Sequence, residues 1–498
     1  MSRRLAGMRY ARVRVVVPTA TAALIAVLGA TPARAADAVK PDGGVVARLA
    51  AISCTSAGSC AAAGFMSTPA QTEPPGQNLV FVVSERNGTW GKAEQIPGLP
   101  ALQGGSTGAV VAALSCSSAG NCSAGGRYTD QAGQGQAFVV SETNGVWADA
   151  VEVPGLAALN TGGDATIDQM SCTLAGGCLA AGTYETDSPA GQQAFVVQEI
   201  AGVWGTAEDI LGLDALNTGG AAQVRTLYCV HTGNCTVGGG YKDSSGAQPF
   251  TAYQNYGEWY SAQTFPDIAA ANTGLSASID ALSCQRRGIC TGVGSYRTPD
   301  GHAHVFSVSE QSYIWDAFQP IPGLTALPNG GAATSTIGYL SCPTPGNCTA
   351  GGKYTDPSGN THSYLVTQTN GTWGNAQALP GLAVLKPIHS PVLTGLSCRS
   401  LGNCTALGSY STSPKTSAGQ IFVLSETNGK WGKAQPLPRS AALSKSGKLN
   451  PQALSCGAPG NCTAGGTYTT PSGRLAPFLA TQKNGTWSNA QRTPGTRS

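Results

Sequence analysis

Charge is scarce in this 498-residue chain: Asp, Glu, Lys and Arg together make up 11% of it. Long solvent-facing helices need many charged residues on their outer faces, so the scarcity speaks against a helical protein. Helical apolar periodicity is absent beyond the first 35 residues, and no later apolar run could span a bilayer. Also missing are a Gly-rich phosphate loop, a G-x-S-x-G elbow, an H-E-x-x-H pair and an EF-hand loop. The sequence thus offers no motif for nucleotide, serine-hydrolase, zincin or calcium-loop chemistry.

A basic excess is missing too, once the N-terminus is set apart. Arg3, Arg4, Arg9, Arg12 and Arg14 surround and precede an apolar run from Val15 to Leu28, and Ala33-Arg34-Ala35 fits a small-x-small cleavage site. Residues 1–35 therefore read as a secretory signal. They hold six of the 29 basic residues and no acid, which leaves 23 basic against 26 acidic residues, a net charge of −3. Nucleic-acid binding has no electrostatic footprint in such a chain.

What the chain has in plenty is glycine, 67 residues, and cysteine, 16 residues. The cysteines form eight C-x5-C pairs: Cys54 with Cys60, Cys116 with Cys122, Cys172 with Cys178, Cys229 with Cys235, Cys284 with Cys290, Cys342 with Cys348, Cys398 with Cys404 and Cys456 with Cys462. Successive pairs start 55 to 62 residues apart, and eight tryptophans from Trp90 to Trp487 keep the same beat. A fixed period of this length marks a repeat architecture.

The second unit shows the pattern. Ala109–Cys116, Cys122–Thr129, Gln136–Glu142 and Val146–Val153 read as four short strands, with Asn144-Gly145 as the last hairpin turn. Four strands repeated eight times predict an all-β fold: a single eight-bladed β-propeller with one disulfide per blade. The domain would cover 36–498, with units near 45–103, 108–160, 165–217, 222–272, 277–329, 335–385, 391–443 and 449–495. Nothing in 36–44 reads as a closing strand, so closure by blade packing alone and an open array both stay open.

Disulfides follow from the oxidising environment that an exported chain meets. The spacing sets each pair across one hairpin, within bridging reach. A glycine two residues before each second cysteine, as at Gly58 and Gly120, suits a turn that needs positive φ. Two thiolates per unit are too few for structural zinc, and no histidine recurs beside them.

Loop lengths separate two rims. An aromatic in the third strand (Phe81, Phe138, Phe195, Phe250, Phe306, Tyr364, Phe422, Phe478) always precedes the tryptophan by nine residues. The C-x5-C turn is equally constant. The other two connections vary: Tyr128 to Phe138 is 10 residues, Tyr184 to Phe195 is 11 and Tyr410 to Phe422 is 12. The variable rim is the expected binding face. Its candidate ligand-binding residues are Tyr128, Asp130, Tyr184, Asp187, Tyr241, Asp243, Asp300, Tyr354 and Asp356, near Asn160, Asn217, Asn272 and Asn329. The competing reading makes these ordinary turn formers and packing residues.

The stretch Ser84-Glu85-Arg86-Asn87-Gly88-Thr89-Trp90 resembles the Asp-box of sialidase-like propellers, and Ser141–Trp147 and Ser425–Trp431 repeat it. One spacer residue is missing, and Asn stands near the place of Asp. The wider pattern SC-x4-NC-x-AGG-x-Y-T-D … AFVVSE-x-NG-x-W is similar to Cys-repeat propeller proteins secreted by actinobacteria. That resemblance implies fold more than activity.

Sialidase chemistry would need clustered arginines, yet Arg127, Arg225, Arg286, Arg287, Arg297, Arg399 and Arg474 occupy unlike repeat positions. Glu85, Glu142, Glu199, Glu310 and Glu426 share one position, where Gln254, Gln368 and Gln482 replace them. A group so repeated and so replaceable reads as structural. Asp300, His302 and His304 lie close enough for a metal, but His304 and His362 fall at the ordinary polar position of Gln136, Gln193 and Gln248. We therefore expect no catalytic residue, metal or cofactor. The expectation is a secreted, monomeric binding protein for an extracellular glycan or protein. A propeller-fold glycoside hydrolase or lyase and a structural cell-surface repeat protein are the alternatives. Units four and five break the repeat most: Tyr253, Tyr256, Tyr260 and Phe265 crowd one, and Tyr313 replaces the turn glycine of the other.

Overall fold

Each sequence repeat forms one antiparallel sheet, and the eight sheets make an eight-bladed propeller. The computed structural model describes residues 47–67, 78–187, 191–273, 276–385, 388–413, 419–444 and 448–496. The export signal expected over 1–35 lies outside these residues. In unit two the strands are Ala109–Ser118, Asn121–Thr129 and Gly135–Thr143, followed by the short pieces Val146–Trp147 and Val151–Glu152. The first strands stand innermost, each packed against its two neighbours round the ring.

The third strands carry near-continuous apolar runs because each blade is covered on both faces by its neighbours. In Gly135–Thr143 the residues from Gly135 to Val140 are all buried. The core accordingly lies between blades. Val80, Val82 and Ile96 of the first blade pack with Val111, Leu114, Phe138 and Trp147 of the second.

All eight cysteine pairs are bridged, each within its own hairpin. Cys54 is bonded to Cys60, Cys116 to Cys122, Cys172 to Cys178 and Cys229 to Cys235. Cys284 is bonded to Cys290, Cys342 to Cys348, Cys398 to Cys404 and Cys456 to Cys462. The turn glycines take positive φ, from 63° at Gly288 to 77° at Gly233. A side chain at Gly120 would also collide with the backbone of Gly145, whose N–H donates to the Gly120 carbonyl at 2.7 Å. The two turns of the uniform rim are thus latched to each other.

Three features differ from the expectation. The fourth strand is split rather than continuous over Val146–Val153. After Trp147 the chain leaves the sheet so that the Ala150 N–H reaches the Pro97 carbonyl of the preceding blade at 2.8 Å. One-turn helices such as Leu156–Leu159 sit in the blade connections, too short to leave a periodicity. Every first strand also carries a bulge, at Asp168 between Ile167 and Gln169 in blade three and equivalently elsewhere. The second glycine of the A-G-G motif makes room for it: a Cβ on Gly126 would overlap the Val110 carbonyl of the equivalent bulge.

No strand is exchanged between blades, so the ring closes by side-by-side packing and by hydrogen bonds between blades. Leu49 and Ile52 of blade one pack on Ala453 and Leu479 of blade eight. Two belts of hydrogen bonds run round the ring. On the inside, the first-cysteine N–H donates to the serine Oγ of the preceding blade, as from Cys54 to Ser455 and from Cys172 to Ser115, both at 3.0 Å. Seven junctions have this bond. Outside, the Ala93 N–H donates to Pro494 O at 2.7 Å and Ala207 to Pro154 at 2.8 Å. Among the described residues the blade 4–5 junction lacks both. Tyr228 replaces the serine there and packs on the bridge between Cys284 and Cys290, while Phe265 meets Trp315 edge-on.

Replacing Ser115 by Ala would leave the buried Cys172 N–H without its acceptor. Urea unfolding should show a loss of about 1–3 kcal/mol. An unchanged midpoint would mean that the inner belt does not hold the blades.

Candidate functional site

The variable rim is built from turns that satisfy themselves. Asp130 accepts from the Gln134 N–H at 2.9 Å and from Gln136 at 3.2 Å. Asp243 accepts from the Ser245 N–H and hydroxyl, at 2.7 and 2.6 Å. Asp300 accepts from the Thr298 hydroxyl at 2.6 Å and from the His302 N–H at 3.2 Å. Asp356 accepts from Ser358, Asn360 and His362, all at 2.9 Å, and these donors hold its carboxyl low, at about 2, with the His362 bond the largest cause. The Asp187 N–H donates to Thr161 Oγ1 at 2.9 Å. Asn160, Asn217 and Asn272 each tie the connection between blades to the start of a third strand.

The rim tyrosines Tyr128, Tyr184, Tyr241 and Tyr354 are buried. Tyr128 and Tyr184 donate to Glu152 and Asp209, both at 2.6 Å. Burial, aided by those bonds, pushes both hydroxyls far above the usual phenol range. The structure therefore brings the sequence-selected residues to one rim, each within its own blade rather than in one cluster.

The bridged cysteines belong to the scaffold and not to this rim. Cys60, Cys178, Cys235 and Cys348 are buried in their hairpins, as are the other twelve. Some of their sulfurs face a hydroxyl of the preceding blade: Thr463 Oγ1 lies 3.3 Å from Cys60 Sγ, and Ser123 Oγ lies 3.2 Å from Cys178 Sγ.

A different set breaks the symmetry nearer the axis. The bulge aims one residue of each first strand off the sheet. In five blades that residue is Ala50, Ala112, Gly338, Thr394 or Gln452; in blades three to five it is Asp168, Arg225 or Asp280. Arg225 Nη1 lies 3.1 Å from Asp280 Oδ1 across the blade junction. Asp280 also accepts from Ser278 at 2.7 Å and Ser295 at 2.8 Å. Asp168 has the Thr183 hydroxyl at 3.2 Å. Burial pushes the Asp168 carboxyl up to about 7; the Thr183 bond opposes this and Asp164 adds to it. A count back from each first cysteine exposes this charged sector in the sequence, but only the register shows that it occupies the bulge.

The repeated carboxylates bridge blades. Glu142 accepts from Ser84 of the preceding blade at 3.1 Å. Glu199 accepts from Ser141 at 2.6 Å and from Ser123 at 3.2 Å. Burial raises Glu85 and Glu142 above the ordinary carboxylate range. Among the described residues no group of three His, Cys, Asp or Glu side chains is placed to hold a metal ion, and no helix is long and apolar enough to cross a membrane. Eight disulfides suit an oxidising extracellular environment.

No family model matches the chain, and no curated protein does. It is similar in structure to a GH74 xyloglucanase from Xanthomonas campestris, at 13% identity and TM-score 0.41, over 74% of this chain and 57% of that one. It is similar to a Hadza microbial sialidase, at 11% identity and TM-score 0.36, over 72% and 73%. It is similar also to a post-proline cleaving enzyme from Rickettsia typhi, at 11% identity and TM-score 0.44, over 89% and 57%. The chain thus spans little more than half of the xyloglucanase and of the post-proline enzyme.

Burial also pushes Glu310 up to about 7. A carboxyl with a raised folded pKa binds more protons folded than unfolded, so stability is fullest at low pH. It is lost as pH rises from about 4, the unfolded value, to about 7. Asp168→Asn should flatten part of that fall and, at pH 8, exceed the parent by on the order of 2 kcal/mol after allowance for solvent screening. Urea unfolding at pH 5 and pH 8 checks it; equal slopes for both chains would refute the assignment.

Proposed function

We propose that the protein is a secreted, monomeric, non-catalytic binding protein that recognises an extracellular glycan or protein through its variable-loop rim, without a cofactor. The observation that supports this reading is the charged sector of the first strands. Asp168, Arg225 and Asp280 occupy the bulge in three sequential blades, in the half of the first strands that leads to that rim, and Arg225 pairs with Asp280. Five blades with small or neutral groups there show that the fold does not need charge at that position. A rigid, disulfide-bonded ring with varied loops on one rim is also a scaffold on which polar loop contacts can specify a ligand. The candidate contacts are Tyr128, Asp130, Tyr184, Asp187, Tyr241, Asp243, Asp300, Tyr354 and Asp356; the buried tyrosines among them would act by shaping the rim.

One observation favours a second reading, a glycoside hydrolase. A carboxyl with a pKa of about 7, as at Asp168, has the protonation behaviour of a general acid.

Binding of the 36–498 chain to a glycan array and to insoluble cell-wall polysaccharides tests both. The expected result is selective, saturable binding that weakens at least about tenfold when Gln131–Gln134 is exchanged for Pro357–Asn360, as expected for loss of one or more loop contacts. Release of soluble sugar by the parent but not by Asp168→Asn would replace the binding reading with the hydrolase. No binding to any glycan would overturn the glycan version and direct the search to protein partners.

A further inference from the structure

Blades four and five differ from the other six on the uniform rim, opposite the loops considered above. Four tyrosines occupy positions that the repeat fills with small or turn-forming residues. Tyr253 replaces the residue that is Ser84, Ser141, Ser309 or Ser425 elsewhere. Tyr256 stands where Asn87, Asn144 and Asn370 stand, and Tyr313 where Gly88, Gly145 and Gly371 stand. Tyr260 follows its tryptophan, as Gly91 and Gly205 follow theirs.

The other seven blade junctions close without these rings. Tyr256 and Tyr313 take φ of 52° and 68°, a left-handed conformation that is costly for a bulky side chain. Tyr253 also removes a hydroxyl that the repeat uses. Elsewhere that hydroxyl donates to the glutamate of the next blade, as Ser84 does to Glu142 and Thr481 to Glu85. Under Tyr253 the corresponding Glu310 is 1% exposed, and neither of its carboxyl oxygens has a hydrogen-bond partner.

Three of the rings, Tyr253, Tyr260 and Tyr313, meet across the blade junction. Tyr253 stacks on Tyr260 with centroids 4.6 Å apart and planes at 14°, and on Tyr313 at 4.6 Å and 25°. The Tyr313 hydroxyl donates to Asn255 Oδ1 of the neighbouring blade at 2.8 Å. Tyr260 is 41% exposed and Tyr256 76%. The Arg287 guanidinium lies 4.1 Å above the Tyr256 ring. Arg286 and Arg287 are exposed, and among the described residues neither forms an ion pair.

We propose that this tyrosine patch is a binding site for a carboxylate-bearing glycan. Sugar rings stack on Tyr260 and Tyr256, and the sugar carboxylate pairs with the Arg286 and Arg287 guanidinium groups. Aromatic faces suit the C–H faces of pyranose rings. A planar guanidinium already stacked on an aromatic is preorganised for a carboxylate. The site is independent of the variable-rim reading and shares no residue with it.

The test is calorimetric titration of the 36–498 chain with oligogalacturonate, its methyl ester and a cello-oligosaccharide. Binding of oligogalacturonate is expected, at least about tenfold stronger than of the other two and weakened by salt, as for surface ion pairs. Arg287→Ala and Tyr260→Ala should each weaken it at least about tenfold, on the scale of a lost anchor residue, whereas the exchange of Gln131–Gln134 should leave it unchanged. The triple variant Tyr253→Ser, Tyr256→Asn, Tyr313→Gly restores the repeat. It should lose binding while its thermal midpoint rises, an outcome that a purely structural stack would not produce. No binding to oligogalacturonate, alginate or hyaluronate would overturn the proposal. So would equal affinity for the methyl ester, or a triple variant that melts lower and binds as the parent does.

Discussion

The propeller depends on the contact between one blade and the next. No strand crosses a junction, so side-by-side packing and the two belts of hydrogen bonds must hold the ring. The inner belt uses the N–H of the first cysteine and the hydroxyl of the serine before it. The serine and cysteine that recur together in the repeat therefore serve different blades: the serine reaches forward and the cysteine N–H reaches back. The carboxylates at Glu142 and Glu199 add a third set of links of the same kind.

Much of this architecture was legible in the chain. Cysteine and tryptophan spacing revealed eight units, and constant against variable loop lengths separated the rims. The bulge was hidden, because it lies at the same distance before the first cysteine in every unit and so leaves no irregularity in the spacing. One trace was the second glycine of A-G-G, whose purpose is steric and becomes visible only when Val110 O is seen against Gly126. The split of the fourth strand was hidden for a similar reason: Ala148–Ala150 looks like more strand until Ala150 is found bonded to another blade.

The candidate sites were less legible than the fold. Asp130, Asp243 and Asp356 lie on one rim, but spacing alone does not show that each aspartate caps its own turn. The tyrosines of units four and five were conspicuous as departures from the repeat. That Tyr253 and Tyr313 stack requires knowing that the third strand of one blade faces the hairpin of the next. Asp168, Arg225 and Asp280 were missed as a group because only the register shows that they share the bulge.

Each disulfide closes a loop between residues six apart, within one hairpin of one blade. Oxidation can therefore proceed hairpin by hairpin. The two thiols of a unit emerge almost together, and their effective concentration for each other far exceeds that for any thiol of another unit. Correct pairing needs neither the finished ring nor the shuffling of distant bridges. The contact that does need the whole chain is the closing one, where the eighth blade meets the first.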